Sequence, residues 1–186
     1  MTRSARTKAL AKIAAEIEIC RTCRRNKIGQ AVPGEGNANA DIMFIGEAPG
    51  KNEAATGRPF VGRAGKVLRD LITEAGLKEE DVFITSPVKY LPVHVTPTEA
   101  EVAHGRKHLF AQIDIIEPKV IVLLGRVAVL AVLRRKVSVA KEHGKVIEED
   151  GRKYLIAYHP AAPLYSPKVK VEIIKDFKKL KKLIKK

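Results

Sequence analysis

Cysteine is scarce in this sequence, which contains only Cys20 and Cys23. Two cysteines separated by two residues cannot build a disulfide framework, so the disulfide-stabilised secreted class is excluded. Long apolar runs are also missing, and none approaches the roughly 20 residues that a membrane-spanning helix needs. The basic N-terminus lacks the apolar stretch of a secretory signal. We therefore expect a cytoplasmic protein with no membrane association.

Two phosphate-binding signatures are absent as well. The first predicted strand-to-helix turn has no G-x-G-x-x-G pattern, and no Walker lysine pattern occurs, so binding of a nucleotide or cofactor is a weak interpretation. Positive charge, in contrast, is in excess: the formal net charge is +14 over 186 residues, and residues 168–186 hold nine lysines and two acidic residues. This excess favours a polyanionic partner, nucleic acid first, although a lysine-rich surface adapted to high temperature has the same composition.

Strand and helix patterns alternate along the chain. Short apolar or alternating segments predict strands; they lie at 42–45, 82–85, 120–124, 145–149 and 154–158. Asp150-Gly151 between the last two is a hairpin signal. Amphipathic patterns predict helices; they lie at 5–19, 64–75, from the Thr96-Pro97-Thr98-Glu99 capping box to about 115, over about ten residues after Gly125, and in the C-terminal segment. The alternation predicts a three-layer α/β/α fold around a mainly parallel central sheet, in a single domain over residues 1–186.

Three polar residues follow predicted strands directly or nearly so: Glu47, Ser86 and His159. Because parallel strands end on the same side of a sheet, we expect these residues to converge. A tight turn, Gly46-Glu47-Ala48-Pro49-Gly50, follows the first strand and would let a ligand approach the backbone closely. Simpler alternatives exist for each residue: Glu47 could cap the following segment, and His159 could be a structural turn residue.

Several motifs resemble the signature of family 4 uracil-DNA glycosylases. The most specific is the Gly46-to-Gly50 turn followed by residues 57–65, GRPFVGRAG. Other matching motifs occur in the same order as in the family and cover nearly the whole chain; they are Cys20-x-x-Cys23, residues 32–36, residues 123–125 and residues 159–162. The resemblance implies a uracil-DNA glycosylase-like fold and a hydrolase of DNA base excision repair.

The resemblance also implies roles for individual residues. His159 would face uracil O2 and stabilise the negative charge that develops as the N-glycosidic bond breaks, and Glu47 would position water or recognise the base. Phe60 would stack on a flipped base, although ordinary core packing is its alternative. The remaining expectations concern base and DNA contacts: Gly46, Ala48, Pro49 and Ser86 for the base, Arg58 and Arg63 with the C-terminal lysines for phosphates, and Leu164 and Tyr165 as a wedge in the duplex.

The chain departs from the family at its metal site. Cys20 and Cys23 match the first two ligands of a four-cysteine iron–sulfur cluster, but the other two positions fall near Tyr90 and Gly105, and neither is cysteine. A four-cysteine 4Fe-4S cluster is therefore not expected. His104 and His108, at i and i+4 spacing on one helix face, make a Cys2His2 zinc site or an altered cluster conceivable. Free thiols without metal are the alternative.

Ser86 is a second departure, because family members carry asparagine there to read the uracil edge. A shorter hydroxyl predicts weaker activity or a shifted base preference. We therefore expect a monomeric glycosylase acting on uracil or another deaminated base in DNA. The alternative is a weakened or inactive paralogue that binds DNA without excising a base. His94 lies in a loop that resembles one carrying a crosslinking histidine in a variant group, but a solvent-exposed residue is the simpler interpretation.

Overall fold

The computed structural model describes residues 1–94 and 96–185; Val95 and Lys186 lie outside this range. The helices are α1 (Arg3–Ile19), α2 (Arg21–Arg24), α3 (Lys51–Thr56), α4 (Arg63–Glu74), α5 (Glu99–Ile116), α6 (Arg126–Leu133), α7 (Val139–Glu142), α8 (Pro167–Phe177) and α9 (Leu180–Ile184). The strands are β1 (Lys27–Ile28), β2 (Glu35–Gly36), β3 (Ile42–Ile45), β4 (Val82–Thr85), β5 (Leu91–Pro92), β6 (Val120–Leu124), β7 (Val146–Glu149) and β8 (Arg152–Ala157).

Six strands form the central sheet in the order β2-β4-β3-β6-β8-β7. The four inner strands are parallel, and Ile42 of β3 pairs with Val82 on one side and Val120 on the other. The two edge strands β2 and β7 are antiparallel to their neighbours. The predicted mainly parallel sheet is therefore confirmed.

The inner strands alternate side chains between two apolar layers, as the pleat of a strand requires. Met43 and Ile45 of β3 face a core formed with α5 and α6. Ile42 and Phe44 face the opposite core, formed with α4, α8 and α9. Because both faces of the sheet are covered, the inner strands are uniformly apolar, and helices lie on both sides in the predicted three-layer arrangement.

Some local details differ from the sequence prediction. The capping box of α5 pairs Thr98 with Glu101, and Pro97 lies before the cap instead of in the first turn. The C-terminal segment forms two helices, α8 and α9, rather than one. Helix α3 was not predicted, because its six residues carry no apolar period. Among the described residues, no helix is both long enough and apolar enough to cross a membrane.

Candidate active site

The carboxyl ends of the parallel strands border a pocket of about 180 Å³. Five residues predicted for the site line it: Ala48, Pro49, Phe60, Ser86 and His159. They come from the turns after β3, β4 and β8 and from the segment before α4. The fold thus brings residues from distant parts of the chain to one cavity, where parallel strands end.

Phe60 enters this pocket from an unusual backbone conformation. Its φ angle is 53°, in the left-handed region that bulky residues rarely adopt. Two glycines make room for it: a Cβ at Gly46 would lie 2.7 Å from the Phe60 ring, and one at Gly65 would lie 1.7 Å from the Phe60 carbonyl oxygen. Arg69 donates to that same carbonyl. Strained backbone held by its surroundings is typical of functional sites.

Glu53, on α3, holds the segment that carries Phe60. Its Oε1 accepts hydrogen bonds from the backbone N–H groups of Val61 and Gly62, each at 2.9 Å. Its Oε2 accepts from the N–H of Gly50 at 3.1 Å. One carboxylate therefore ties the turn after β3 to the segment before α4. In the sequence, Glu53 matches an acidic position of the family that the motifs resemble, but this match alone did not predict its contacts.

His159 lies two residues beyond β8, half-buried in the pocket wall. The backbone N–H of Ala161 donates to its Nδ1 at 3.2 Å. This contact assigns the proton to Nε2, so the neutral ring is a donor through Nε2. Burial lowers the pKa of His159 to about 4, which keeps the imidazole neutral near pH 7. Its ring centroid lies 5.8 Å from that of Phe60.

Glu47 directly follows Gly46 and is half-buried. Among the described residues, the lining of the 180 Å³ pocket includes its neighbour Ala48 but not Glu47 itself. Burial raises the pKa of the Glu47 carboxyl above its ordinary value, and the positive charge of Arg126 on α6 opposes this shift. A carboxyl group with a raised pKa is a stronger base toward water than an ordinary one.

Ser86 is buried, and its hydroxyl donates to the carbonyl of Val88 at 2.8 Å. Its proton is thus committed to the backbone, which leaves the oxygen as an acceptor on a residue that lines the pocket. The hydroxyl is therefore not available as a hydrogen-bond donor to a base.

Behind Ser86 lies Lys89, which is 1% exposed. Its ammonium donates to the carbonyl of Pro33 at 3.1 Å, to Thr85 Oγ1 at 2.7 Å and to Gln112 Oε1 at 2.9 Å. Burial lowers its pKa to about 7. These contacts fix the loop before β2 against the end of β4. The sequence analysis missed this residue, because a lysine in an irregular segment usually indicates surface.

The residues predicted to contact DNA lie at the surface. Arg58 forms a two-point ion pair with Glu35, at 2.8 and 3.0 Å, so its guanidinium already has a protein partner. Arg63 is exposed at the start of α4. In the loop after His159, Leu164 is 40% exposed and Tyr165 is 79% exposed. Among the described residues, Leu164 lines a different pocket, with Val67 and Leu71 of α4, and neither Leu164 nor Tyr165 lines the 180 Å³ pocket.

A second group of chemically active residues lies at the packing of α1 and α2 against α5. One ligand atom from each of Cys20, Cys23, His104 and His108 lies within 4.8 Å of the others, an arrangement that can hold a metal ion. His94 is exposed and lines a separate pocket with Cys23 and His104, while its neighbour Val95 lies outside the described residues.

The fold and the pocket together define an α/β protein with a cavity at the carboxyl edge of its parallel strands. Comparison with known proteins identifies the family. The family model of the Uracil DNA glycosylase superfamily matches residues 33–183, and the chain belongs to this superfamily.

Several curated relatives carry the name Type-4 uracil-DNA glycosylase. The protein of Saccharolobus solfataricus is 43% identical over 183 residues, covering 92% of this chain and 85% of the relative. That of Archaeoglobus fulgidus is 40% identical, covering 94% and 93%. That of Thermotoga maritima is 44% identical, covering 83% of each chain. The similarity therefore extends over 83–93% of the length of these relatives.

Proposed function

We propose that this protein is a DNA glycosylase that hydrolyses the N-glycosidic bond of uracil, or of another deaminated base, in DNA. The observation that carries the proposal is the state of His159 in the pocket wall: a neutral imidazole whose Nδ1 is occupied by Ala161 and whose Nε2 holds the proton. Identity of 40–43% to Type-4 uracil-DNA glycosylases over most of both chains supports the same activity.

The reaction follows from these groups. The target base leaves the duplex and stacks against Phe60. As the C1′–N1 bond breaks, its electron pair moves onto the base, and Nε2–H of His159 donates to the oxygen where negative charge develops. Water adds to C1′ of the cationic sugar and gives one proton to Glu47, which leaves an abasic site and the base anion. Transfer of that proton to the base anion through solvent then gives the free base and restores the Glu47 carboxylate. Gly46, Ala48 and Pro49 shape the wall, and Ser86 contacts the base edge.

DNA binding in this proposal uses the positive surface. Arg63 and the exposed C-terminal lysines contact phosphates, and Arg58 joins them by exchanging Glu35 for a phosphate. Leu164 and Tyr165 occupy the gap left by the flipped base, because an apolar side chain replaces the lost stacking. Their exposure in the loop after His159 supports this role.

We also propose that the chain acts as a monomer with one domain over residues 1–186, in the cytoplasm. The two apolar cores on opposite faces of one sheet support a single folding unit. Neither cysteine forms a disulfide, which fits a reducing compartment. The proposal does not include a four-cysteine 4Fe-4S cluster. Zinc or an altered cluster is the alternative to that cluster.

The test is release of uracil from a labelled oligonucleotide, measured as alkali-sensitive abasic sites, on single and double strands and on hypoxanthine and mismatched-thymine substrates. The purified protein should produce abasic sites from uracil, and Glu47→Ala should abolish most of this activity. Binding is measured in parallel. DNA affinity without base release would contradict the proposal and indicate a non-catalytic paralogue.

A further inference from the structure

The Cys20, Cys23, His104 and His108 group has the spacing of ligands around one ion. Its four ligand atoms lie within 4.8 Å of one another, and Cys20 Sγ is 3.3 Å from His104 Nε2. Around a tetrahedral zinc ion, with bonds of about 2.0–2.3 Å, neighbouring ligand atoms lie roughly 3.3–3.8 Å apart. Small side-chain movements would therefore close the group around a single cation.

His108 adds an independent observation. Its side chain is 5% exposed, and within residues 1–94 and 96–185 its Nε2 has no hydrogen-bond partner. Buried polar atoms are nearly always paired, because leaving them without a partner is costly. An unpaired imidazole nitrogen in a cluster with two thiols and a second imidazole is accounted for by a metal ion.

The family's four-cysteine cluster does not fit these residues. Tyr90, at one missing ligand position, is buried against Ile17 and Cys23, and its hydroxyl donates to the carbonyl of Glu18 at 3.2 Å. At the other, a Cβ on Gly105 would lie 2.0 Å from the carbonyl oxygen of Pro87. A cysteine at 105 therefore requires the backbone beside Ser86 to move. In a cubane each cysteine also binds a different iron, which spreads the ligands more widely than around one ion.

We propose that Cys20, Cys23, His104 and His108 bind one Zn²⁺ ion in a tetrahedral Cys2His2 site, which fastens α1 and α2 to α5 in place of the iron–sulfur cluster. Two thiolates and two imidazoles in a tetrahedron are a donor set that zinc prefers. All four positions are filled by protein, so the ion is structural. None of the four ligands lines the pocket that contains Phe60 and His159. The proposal therefore does not depend on the glycosylase activity.

The experiment measures metal on the full-length protein, purified under reducing conditions from cells supplied with both iron and zinc. Elemental analysis should give about one zinc per chain and only trace iron, with no visible cluster absorption. Replacing zinc by Co²⁺ should give the intense visible bands of a tetrahedral site with two thiolate ligands. Removing the ion with a chelator should lower the unfolding temperature, and adding zinc back should restore it.

Variants then assign the ligands. Cys20→Ser and His108→Ala should each lose most of the bound zinc. The control is His94→Ala, which should keep the zinc, because His94 lines a pocket with Cys23 and His104 but is not one of the four ligands. The Co²⁺ spectrum of the unmodified chain requires no variant, so poor folding of a variant leaves that measurement intact. Stoichiometric iron with visible absorption, or a metal-free protein whose unfolding temperature does not respond to zinc, would overturn the proposal. Base release is assayed separately, so its absence would not bear on this result.

Discussion

The backbone N–H of Ala161 donates to Nδ1 of His159 at 3.2 Å, so the loop itself selects the tautomer of the ring beside Phe60. A ring held in this way presents its proton through Nε2 without needing a second charged residue. Because burial lowers the pKa of His159 to about 4, protonation of this ring begins only well below neutral pH. The proposed mechanism therefore uses a neutral donor.

His159→Ala should lower kcat by roughly 10²–10³, the usual loss when one donor to a developing negative charge is removed. The amide of His159→Gln can still donate a hydrogen bond, although from a different position, so this variant should lose less activity than His159→Ala. In the wild-type protein, single-turnover rates between about pH 5 and 8 should show no inflection that is due to His159. The pH profile of the His159→Gln variant should therefore have the same shape over this range. A limb near the ordinary histidine pKa that disappears in this variant would mean that His159 acts in its charged form.

We expect titration of the Glu47 carboxyl to produce the acidic limb of the pH–rate profile. Its pKa is raised from 4.5 by burial, and only the ionised form accepts a proton from water, so activity should fall as pH decreases toward this raised value. Glu47→Gln should remove the limb and lower kcat by roughly 10²–10⁴. Arg126→Met removes the charge that opposes the shift, so it should move the limb to higher pH.

Arg135→Met is the control for Arg126, because Arg135 is an exposed residue just beyond α6 and pairs with Glu149. It should leave the acidic limb where it is. If Arg126→Met and Arg135→Met give the same profile, the titrating group is not Glu47.

The fit between Gly46 and Phe60 can be tested by coupled substitutions. In Gly46→Ala the new Cβ would lie 2.7 Å from two ring carbons of Phe60, so the ring must leave the pocket wall. We expect kcat/KM to fall by at least roughly tenfold, since a contact this short displaces the stacking surface. In a Phe60→Leu background the same glycine substitution should cost much less. Additive effects in this double-mutant cycle would show that Gly46 acts independently of the ring.

The sheet could be predicted because each inner strand is a short apolar run buried on both faces, as in Ile42–Ile45 and Val120–Leu124. The Asp150-Gly151 turn was equally clear, and both residues have positive φ angles, 52° and 71°, as a tight hairpin requires. Parallel topology alone predicted that Glu47, Ser86 and His159 converge, and of these three Ser86 and His159 line the 180 Å³ pocket.

Other features depend on contacts between distant segments, which no local pattern records. The left-handed φ of Phe60 is imposed by Gly65 and Arg69, and the residue type alone argues against it. Lys89 is buried because Pro33, Thr85 and Gln112 together supply acceptors for its ammonium group. Such positions are where local preference and tertiary structure disagree, and in this protein they surround the candidate site.

We expect the hydroxyl of Ser86 to influence how the pocket distinguishes bases. Its hydroxyl proton is used by Val88, so the oxygen can accept from N3–H of uracil but also from the amino group of cytosine. Ser86→Asn supplies both a donor and an acceptor and should increase the ratio of kcat/KM for uracil over cytosine by roughly tenfold, about 1.4 kcal/mol. Ser86→Ala should lower uracil excision without improving the ratio. An unchanged ratio in Ser86→Asn would show that this position does not read the base edge.

Glu53 should matter for both stability and activity, because one carboxylate accepts from the N–H groups of Gly50, Val61 and Gly62. Hydrogen bonds to a charged acceptor are the stronger kind, so Glu53→Gln should lower the free energy of unfolding by about 2 kcal/mol, measured by denaturant titration. It should also lower kcat/KM, since the segment that positions Phe60 loses its tie to the turn after β3. Glu74→Gln, at an exposed site on α4, is the matched control and should change neither quantity. If Glu53→Gln lowers stability but leaves kcat/KM unchanged, the carboxylate supports the fold without positioning the ring.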